Sequence, residues 1–92
     1  MVTTLFLSNN SIGDEGAKAI AEALKVNAVL TKLSLGGNKI GDVGAKAIAN
    51  ALKLGTAVLT ELDLQYNSNM GEAGKKAVRD AVKDRSGFVL QL

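Results

Sequence analysis

Glu61 and Asp63 form the carboxylate pair best spaced for acid–base chemistry. They are two residues apart in an alternating segment, so both are expected on one face of a strand. Paired carboxylates divide acid and base roles only where their surroundings separate their pKa values, and a flat exposed sheet has no pocket to do so. The chain also contains no Cys and no His, which excludes most nucleophilic triads and zinc sites. We therefore predict a non-enzymatic protein with no catalytic residue, metal or cofactor.

The glycines before the predicted helices look like part of a phosphate-binding loop, above all Gly74-Lys75. However, no Gly stands five places before Gly74, and no Ser or Thr follows Lys75. Asp14, Asp42 and Glu72 occupy the predicted helix starts, where a bound anion would otherwise lie. The glycines are instead expected to permit tight bends and close helix packing.

Five basic residues between positions 75 and 85 make the third predicted helix positively charged. They are interleaved with Asp80 and Asp84 and no aromatic platform accompanies them, so a solvated end of the domain is favoured over a nucleic-acid or acidic-lipid site. The net charge of +2 is too small to indicate a polyanionic partner. No stretch reaches the roughly 18 apolar residues of a membrane span, and no secretory signal begins the sequence. We expect no membrane partner and a cytoplasmic location.

A repeat of 28 or 29 residues organises the whole chain. Leu5, Leu33, Leu62 and Leu90 fall in one column when the sequence is aligned on itself. Each unit begins with apolar residues at its first, fourth and sixth positions, and the period-two part predicts a short strand with one buried face. These residues are Val2, Leu5 and Leu7; Leu30, Leu33 and Leu35; and Leu59, Leu62 and Leu64.

An Asn follows each of the first three predicted strands: Asn10, Asn38 and Asn67. Where a chain leaves a strand its backbone groups lose their ladder partners, and an Asn amide can donate and accept hydrogen bonds in their place. We therefore predict a structural Asn ladder and not a polar binding site. After each Asn the apolar spacing changes to that of a helix. A strand, a helix and a return loop then form one coil of a right-handed solenoid, because parallel strands are joined by right-handed crossovers.

The repeated phrase LxxLxLxxNxIGxxGAxAIAxAL resembles the leucine-rich repeat family, specifically the ribonuclease-inhibitor-like subtype also found in NOD-like receptors and the Ran GTPase activator. Ribonuclease inhibitor often has Cys in the Asn column, whereas this chain has only Asn, which is nearer to the NOD-like receptor form. The resemblance implies an α/β right-handed leucine-rich-repeat solenoid with its parallel sheet on the concave side and its helices on the convex side. We expect one domain over residues 1–92, with coils at approximately 2–29, 30–58 and 59–86 and a final strand at 87–92.

The resemblance also implies that a partner protein binds the outward, concave face of the sheet. Residues between the repeated leucines differ from coil to coil there, as expected where folding does not dictate them. The candidate partner-binding residues are Phe6, Lys32, Glu61, Asp63 and Tyr66. We predict a protein–protein interaction module, part of a larger receptor-like or scaffold protein. A solvated face that binds nothing and a GTPase regulator are the alternatives at this surface.

The two ends of the predicted solenoid differ. Alanines on the helix flanks let neighbouring coils approach, but in the third helix two of these positions become Lys75 and Arg79, as suits a terminal polar face. The first helix keeps its alanines, so its end is expected to be bare. Such an end belongs either to a fragment of a longer solenoid or to a surface that pairs with another chain. Self-assembly into a homo-oligomer through uncapped ends is therefore the second functional hypothesis.

Overall fold

Strands and helices alternate along the chain in the computed structural model, which describes residues 3–27, 29–54 and 58–92. The strands coincide with the alternating leucine positions, and the helices begin where the apolar spacing changes. Val2, predicted as the first apolar residue of the first strand, lies outside the described residues. In chain order the elements are β1 Thr4–Phe6, α1 Gly13–Val26, β2 Lys32–Ser34, α2 Asp42–Lys53, β3 Glu61–Asp63, α3 Glu72–Val82 and β4 Val89–Gln91.

The four strands of the described residues form one parallel sheet in the order β1-β2-β3-β4. Its register places Leu5, Leu33, Leu62 and Leu90 opposite one another. Each strand is followed by a helix before the next parallel strand begins, which confirms the predicted α/β fold with a parallel sheet. β4 is shorter than the final strand predicted at 87–92.

The core lies between the leucine face of the sheet and the inner faces of the helices. Leu33 and Leu62 of the strands are buried together with Ile48 of α2 and Val78 of α3. Fully burying one such side chain stabilises the fold by about 1.5–3 kcal/mol. One strand–helix unit cannot bury both its strand face and its helix face, so neighbouring units depend on each other.

Glycine–alanine contacts set the spacing between the helices. A Cβ atom placed on Gly44 would lie 2.8 Å from the Cβ of Ala17, and one placed on Gly74 would lie 3.1 Å from the Cβ of Ala45. Carbon atoms are in favourable contact at about 3.5–4.0 Å, so a larger residue at either glycine would force the helices apart. Ala17 and Ala45 are fully buried at these contacts.

Asn38 and Asn67 each connect one strand–helix unit to the unit before it. The Nδ2 of Asn38 donates to the carbonyl of Leu7 at 2.7 Å, and its Oδ1 accepts from the backbone N–H of Asn10 at 2.6 Å. The Nδ2 of Asn67 likewise donates to the carbonyl of Leu35 at 3.1 Å, and its Oδ1 accepts from the N–H of Asn38 at 2.9 Å. Both of these Asn residues are buried, whereas Asn10 is exposed and its amide bonds within its own turn.

Asp14 and Asp42 cap the start of the next helix along the stack. The Oδ1 of Asp14 accepts from the N–H of Gly41 at 2.7 Å and from that of Gly44 at 2.9 Å, at the start of α2. The Oδ1 of Asp42 makes the same two bonds to the glycines at the start of α3, at 2.8 and 2.9 Å. The sequence predicted only that each acid favours its own helix start, so the contact between helices is a finding of the structure.

Candidate functional site

The outward face of the sheet carries two rows of side chains. Alternate residues of a strand point to opposite faces, so the leucines are turned toward the core and their neighbours face outward. Adjacent strands lie about 4.8 Å apart, so neighbouring side chains in a row can contact one ligand group together. The first row contains Thr4, Lys32, Glu61 and Val89, and the second contains Phe6, Ser34, Asp63 and Gln91.

A groove of about 510 Å³ runs across this face. Four of the predicted partner-binding residues, Phe6, Lys32, Glu61 and Asp63, line it together. The strand register brings them together although Phe6 and Asp63 are far apart in sequence. The groove is also lined by Thr4, Ser34 and Gln91, which were not predicted as contacts. Their positions in the two rows are the sequence signal that identifies them.

The groove contains charges of both signs. Lys32 lies opposite Glu61 in the register, yet neither side chain forms an ion pair within the described residues. The Oδ1 of Asp63 accepts from the N–H of Gln65 at 2.9 Å, which holds that carboxylate at the end of β3. Lys32 and Glu61 are therefore available to charged groups of a ligand.

Apolar side chains flank these charges on the two edge strands. Phe6 of β1 is 77% exposed, and Val89 of β4 is also exposed. An exposed aromatic ring next to a groove offers a large apolar contact, and such rings often carry much of the affinity of an interface. The outward face is therefore charged at its centre and apolar at both sides.

Tyr66 lies outside this groove, in the turn that follows β3. It is 86% exposed and lines a separate depression of about 210 Å³ with Lys75 and Ser68. Its φ of 63° lies in the left-handed region, as do the φ values of 60° at Asn9 and 66° at Gly37 in the equivalent turns. This conformation costs a residue other than Gly about 1–2 kcal/mol. Because the Tyr66 side chain is exposed, it contributes no burial to the stability of the fold that would offset this cost. The structure thus groups four of the five predicted contact residues in one groove and puts the fifth, Tyr66, in a separate depression.

The basic residues near α3 interact mainly with groups of the domain itself. Lys76 donates to Asp80 at 2.8 Å, and this hydrogen bond lowers the pKa of Asp80 below its ordinary 3.8. Arg79 lies 4.0 Å from Glu72. The guanidinium of Arg85 donates at 2.6 Å to a backbone carbonyl near the end of α2. The contacts of Lys76 and Arg79 lie within α3, and that of Arg85 joins the segment after α3 to the preceding unit.

A metal site and a membrane-spanning helix are both absent from the described residues. Within residues 3–27, 29–54 and 58–92, no group of three acidic side chains is placed to hold a metal ion. No helix in the same stretches is long and apolar enough to cross a bilayer. The groove is open along its length, so it supplies contacts without enclosing a reacting group.

Comparison with known families agrees with this geometry. A family model described as Leucine Rich repeat matches residues 1–21 and 26–49. The matched segments contain β1, β2, the first two Asn of the ladder and parts of α1 and α2. No curated protein matches the chain significantly. Repeats of this family generally bind proteins and are usually non-enzymatic.

Proposed function

We propose that this leucine-rich repeat chain, whose family assignment the matched segments support, is a non-enzymatic module that binds a partner protein through the outward face of its sheet. The observation that carries the proposal is the groove, where exposed Phe6 lies with Lys32 and Glu61, whose side chains form no ion pair within the described residues. Asp63 lines the same groove, and Tyr66, in a separate depression after β3, is proposed as a further contact. Stacked repeats of this kind commonly present such a face to their partners.

The proposal includes the finer architecture of the family. Parallel strands that alternate with helices support a right-handed solenoid of about three coils and a terminal strand, with the sheet concave and the helices convex. The ribonuclease-inhibitor-like subtype is supported by the IG and GAKAIA sequences at the start of α1 and α2. The cytoplasmic location and the origin in a larger receptor-like or scaffold protein stay predictions.

The distribution of side chains defines the chemistry of the partner. Phe6 and Val89 stand on the outermost strands, which lie about 14 Å apart at 4.8 Å per strand, and Lys32 and Glu61 stand on the two strands between them. A complementary partner carries an acidic and a basic group side by side, with an apolar side chain beyond each. The apolar contacts would supply most of the affinity, and the charges would set the register and the association rate.

The size of the sheet predicts a weak complex. Four strands span roughly 15–20 Å, and strands of three residues are about 10 Å long. Such a face is well below the roughly 800 Å² that each partner buries in an interface of standard size. We therefore expect fast dissociation and an affinity typical of transient complexes.

Two matched double variants test whether the sheet face is the binding surface. The sheet variant combines Phe6→Ser with Glu61→Lys, and the control combines Val43→Ser with Glu15→Lys on the helices. Each therefore removes one exposed apolar side chain and reverses one acidic charge. Proteins captured from a cell extract by the immobilised wild type and by each variant are quantified by mass spectrometry.

The expected result is a set of captured proteins that falls at least tenfold with the sheet variant and is unchanged with the control. Circular dichroism establishes that both variants are folded. Equal capture by the wild type and the folded sheet variant would refute the proposal, and so would a loss confined to the helix control.

A further inference from the structure

The outward rows of the sheet are spaced more closely than the side chains of an extended peptide. The first row runs from Thr4 on β1 to Val89 on β4, and about 4.8 Å separates each strand from the next. Residues on one face of an extended peptide are about 6.6 Å apart, so a peptide laid across the strands would be displaced by about 4 Å at the third strand. A peptide laid along the strands would not reach both β1 and β4, which lie about 14 Å apart.

A helix laid across the strands keeps the register of the rows. With a rise of about 1.5 Å per residue, helical residues i, i+3, i+7 and i+10 stand at about 0, 4.5, 10.5 and 15 Å along the axis. The four strands stand at about 0, 4.8, 9.6 and 14.4 Å, so each of these residues lies within about 1 Å of its strand. At about 100° per residue the four positions fall within a stripe about 80° wide, so one face of the helix carries them all.

The two outward rows together are about as wide as one helix. Glu61 and Asp63, one from each row, are two residues apart on β3 and therefore about 6.6 Å apart along the strand. A helix with its side chains is about 10–12 Å across, so it contacts both rows at once. Gly36 continues the rows on β2, and a Cβ placed on it would lie 4.0 Å from the Oδ2 of Asp63. Since Gly36 has no side chain, the flank of the helix has room on that side of the groove.

Each strand presents a different chemistry to such a helix. β1 presents the exposed ring of Phe6, and β2 presents the exposed Lys32. β3 presents the carboxylates of Glu61 and Asp63, and β4 presents the exposed Val89. From β1 to β4 the complementary residues are therefore apolar, acidic, basic and apolar. The basic residue meets two negative charges, whereas the acidic residue meets one positive charge.

We infer that the occupant of the groove is an amphipathic helix of the partner protein that lies across the four strands; this inference rests on the proposed function. Its residues at i, i+3, i+7 and i+10 are apolar, acidic, basic and apolar. The outer two contact Phe6 and Val89, and the inner two form ion pairs with Lys32 and Glu61. The spacing is the same when it is read from either end, so a helix with the reversed order of residues docks in the opposite direction.

Synthetic peptides test the spacing. The helical peptide carries Leu, Glu, Arg and Leu at i, i+3, i+7 and i+10 in a background of Ala and Gln. The control peptide has the same composition, but its four residues stand at i, i+2, i+4 and i+6, the spacing of one face of an extended chain. NMR titration of the isotope-labelled protein measures the affinity of each peptide and locates it. We expect the helical peptide to bind at least tenfold more tightly, to shift the amide signals of all four strands and to gain helical circular dichroism on binding.

A charge reversal in the groove tests the order of the contacts. In Lys32→Glu the acidic residue of the helical peptide faces a carboxylate, so this variant should bind the peptide at least fivefold more weakly than the wild type. A second peptide, in which that Glu is replaced by Arg, should prefer the Lys32→Glu variant to the wild type. Lys46→Glu reverses an exposed charge on α2 and is the matched control, which should bind both peptides as the wild type does.

Three outcomes would overturn the inference. They are a helical peptide that does not bind, equal binding of the helical and control peptides, and a Lys32→Glu variant that keeps the preference of the wild type. These failures are distinguishable from a failure of the proposed function, which predicts loss of captured proteins from the Phe6→Ser, Glu61→Lys variant. If that loss occurs while the helical peptide does not bind, the sheet binds a partner, but the bound segment is not a helix of this pattern.

Discussion

Replacing Asn67 by Ala removes the side chain that joins three backbone segments. Its Oδ1 accepts from the N–H groups of Asn38 and Ile40 at 2.9 and 3.0 Å, and its Nδ2 donates to the carbonyls of Leu64 at 2.8 Å and Leu35 at 3.1 Å. All of these bonds are buried, and Asn67 is only 6% exposed. Water cannot reach the groups that the substitution leaves unpaired.

The cost follows from the two N–H groups that lose their acceptor. A buried polar group without a partner costs about 1–3 kcal/mol, so we expect Asn67→Ala to lower the free energy of unfolding by about 2–6 kcal/mol. A chain of this length has a total stability of roughly 5–14 kcal/mol, so the variant is expected to be close to unfolding. Asn10→Ala is the matched control, because Asn10 belongs to the same column but is exposed, and it should cost below about 1 kcal/mol.

Urea unfolding followed by far-ultraviolet circular dichroism measures the difference. Asn67→Asp sharpens the test, since it keeps both acceptor bonds but turns a carboxylate toward the carbonyl of Leu64. Compared with wild type at the same pH, Asn67→Asp should be strongly destabilised at neutral pH and less so in mild acid, where a protonated carboxyl can donate to that carbonyl. Equal losses for Asn67→Ala and Asn10→Ala would show that the buried amide does not hold the units together.

Three further substitutions test the turn at Tyr66, the helix cap at Asp42 and the hydrogen bond between Lys76 and Asp80. Tyr66→Gly relieves a left-handed φ of 63° and should raise the free energy of unfolding in urea by about 0.5–1 kcal/mol, while weakening partner capture if the side chain serves binding. Asp42→Ala leaves two N–H groups at the start of α3 without their acceptor and should cost about 1–2 kcal/mol in the same assay, whereas a cost below about 0.3 kcal/mol would contradict the capping role. Lys76→Met removes the donor that lowers the pKa of Asp80, so the pKa measured by NMR titration should rise toward 3.8; an unchanged value would show that the Lys76 hydrogen bond is not the cause.

The sheet was predictable because its period is visible in the sequence. Leu5, Leu33 and Leu62 recur at nearly constant spacing, and residues one repeat apart can share a core only if their strands lie side by side. The groove follows from the same register, since it needs only the residues between the leucines. Ser34 was missed as a contact because residue type, and not position in the row, guided the choice of candidates.

The capping contact between helices could not be predicted, because it depends on how one unit is offset from the next. Asp42 precedes α3 by a whole unit in sequence, and only the packed helices show that its carboxylate reaches the N–H of Gly71. The left-handed turn at Tyr66 was less hidden, because Gly37 and Asn9 occupy the same column and both residue types tolerate positive φ. An aromatic residue in a column otherwise occupied by Gly and Asn therefore predicts a strained turn.

The Asn side chains and the capping Asp side chains connect the units in opposite directions. The amide of Asn67 reaches back to the preceding strand, whereas the carboxylate of Asp42 reaches forward to the following helix. Within the described residues, Asn10 therefore has no preceding strand to contact, and Glu72 has no following helix to contact. Glu72 lies near Arg79 instead. The exposed carboxylate of Glu72 can be satisfied by water and by a nearby cation, whereas the buried amides of Asn38 and Asn67 have only backbone partners. The contacts made by the Asn side chains therefore make each unit depend on the preceding one more strongly than the acidic side chains make it depend on the following one.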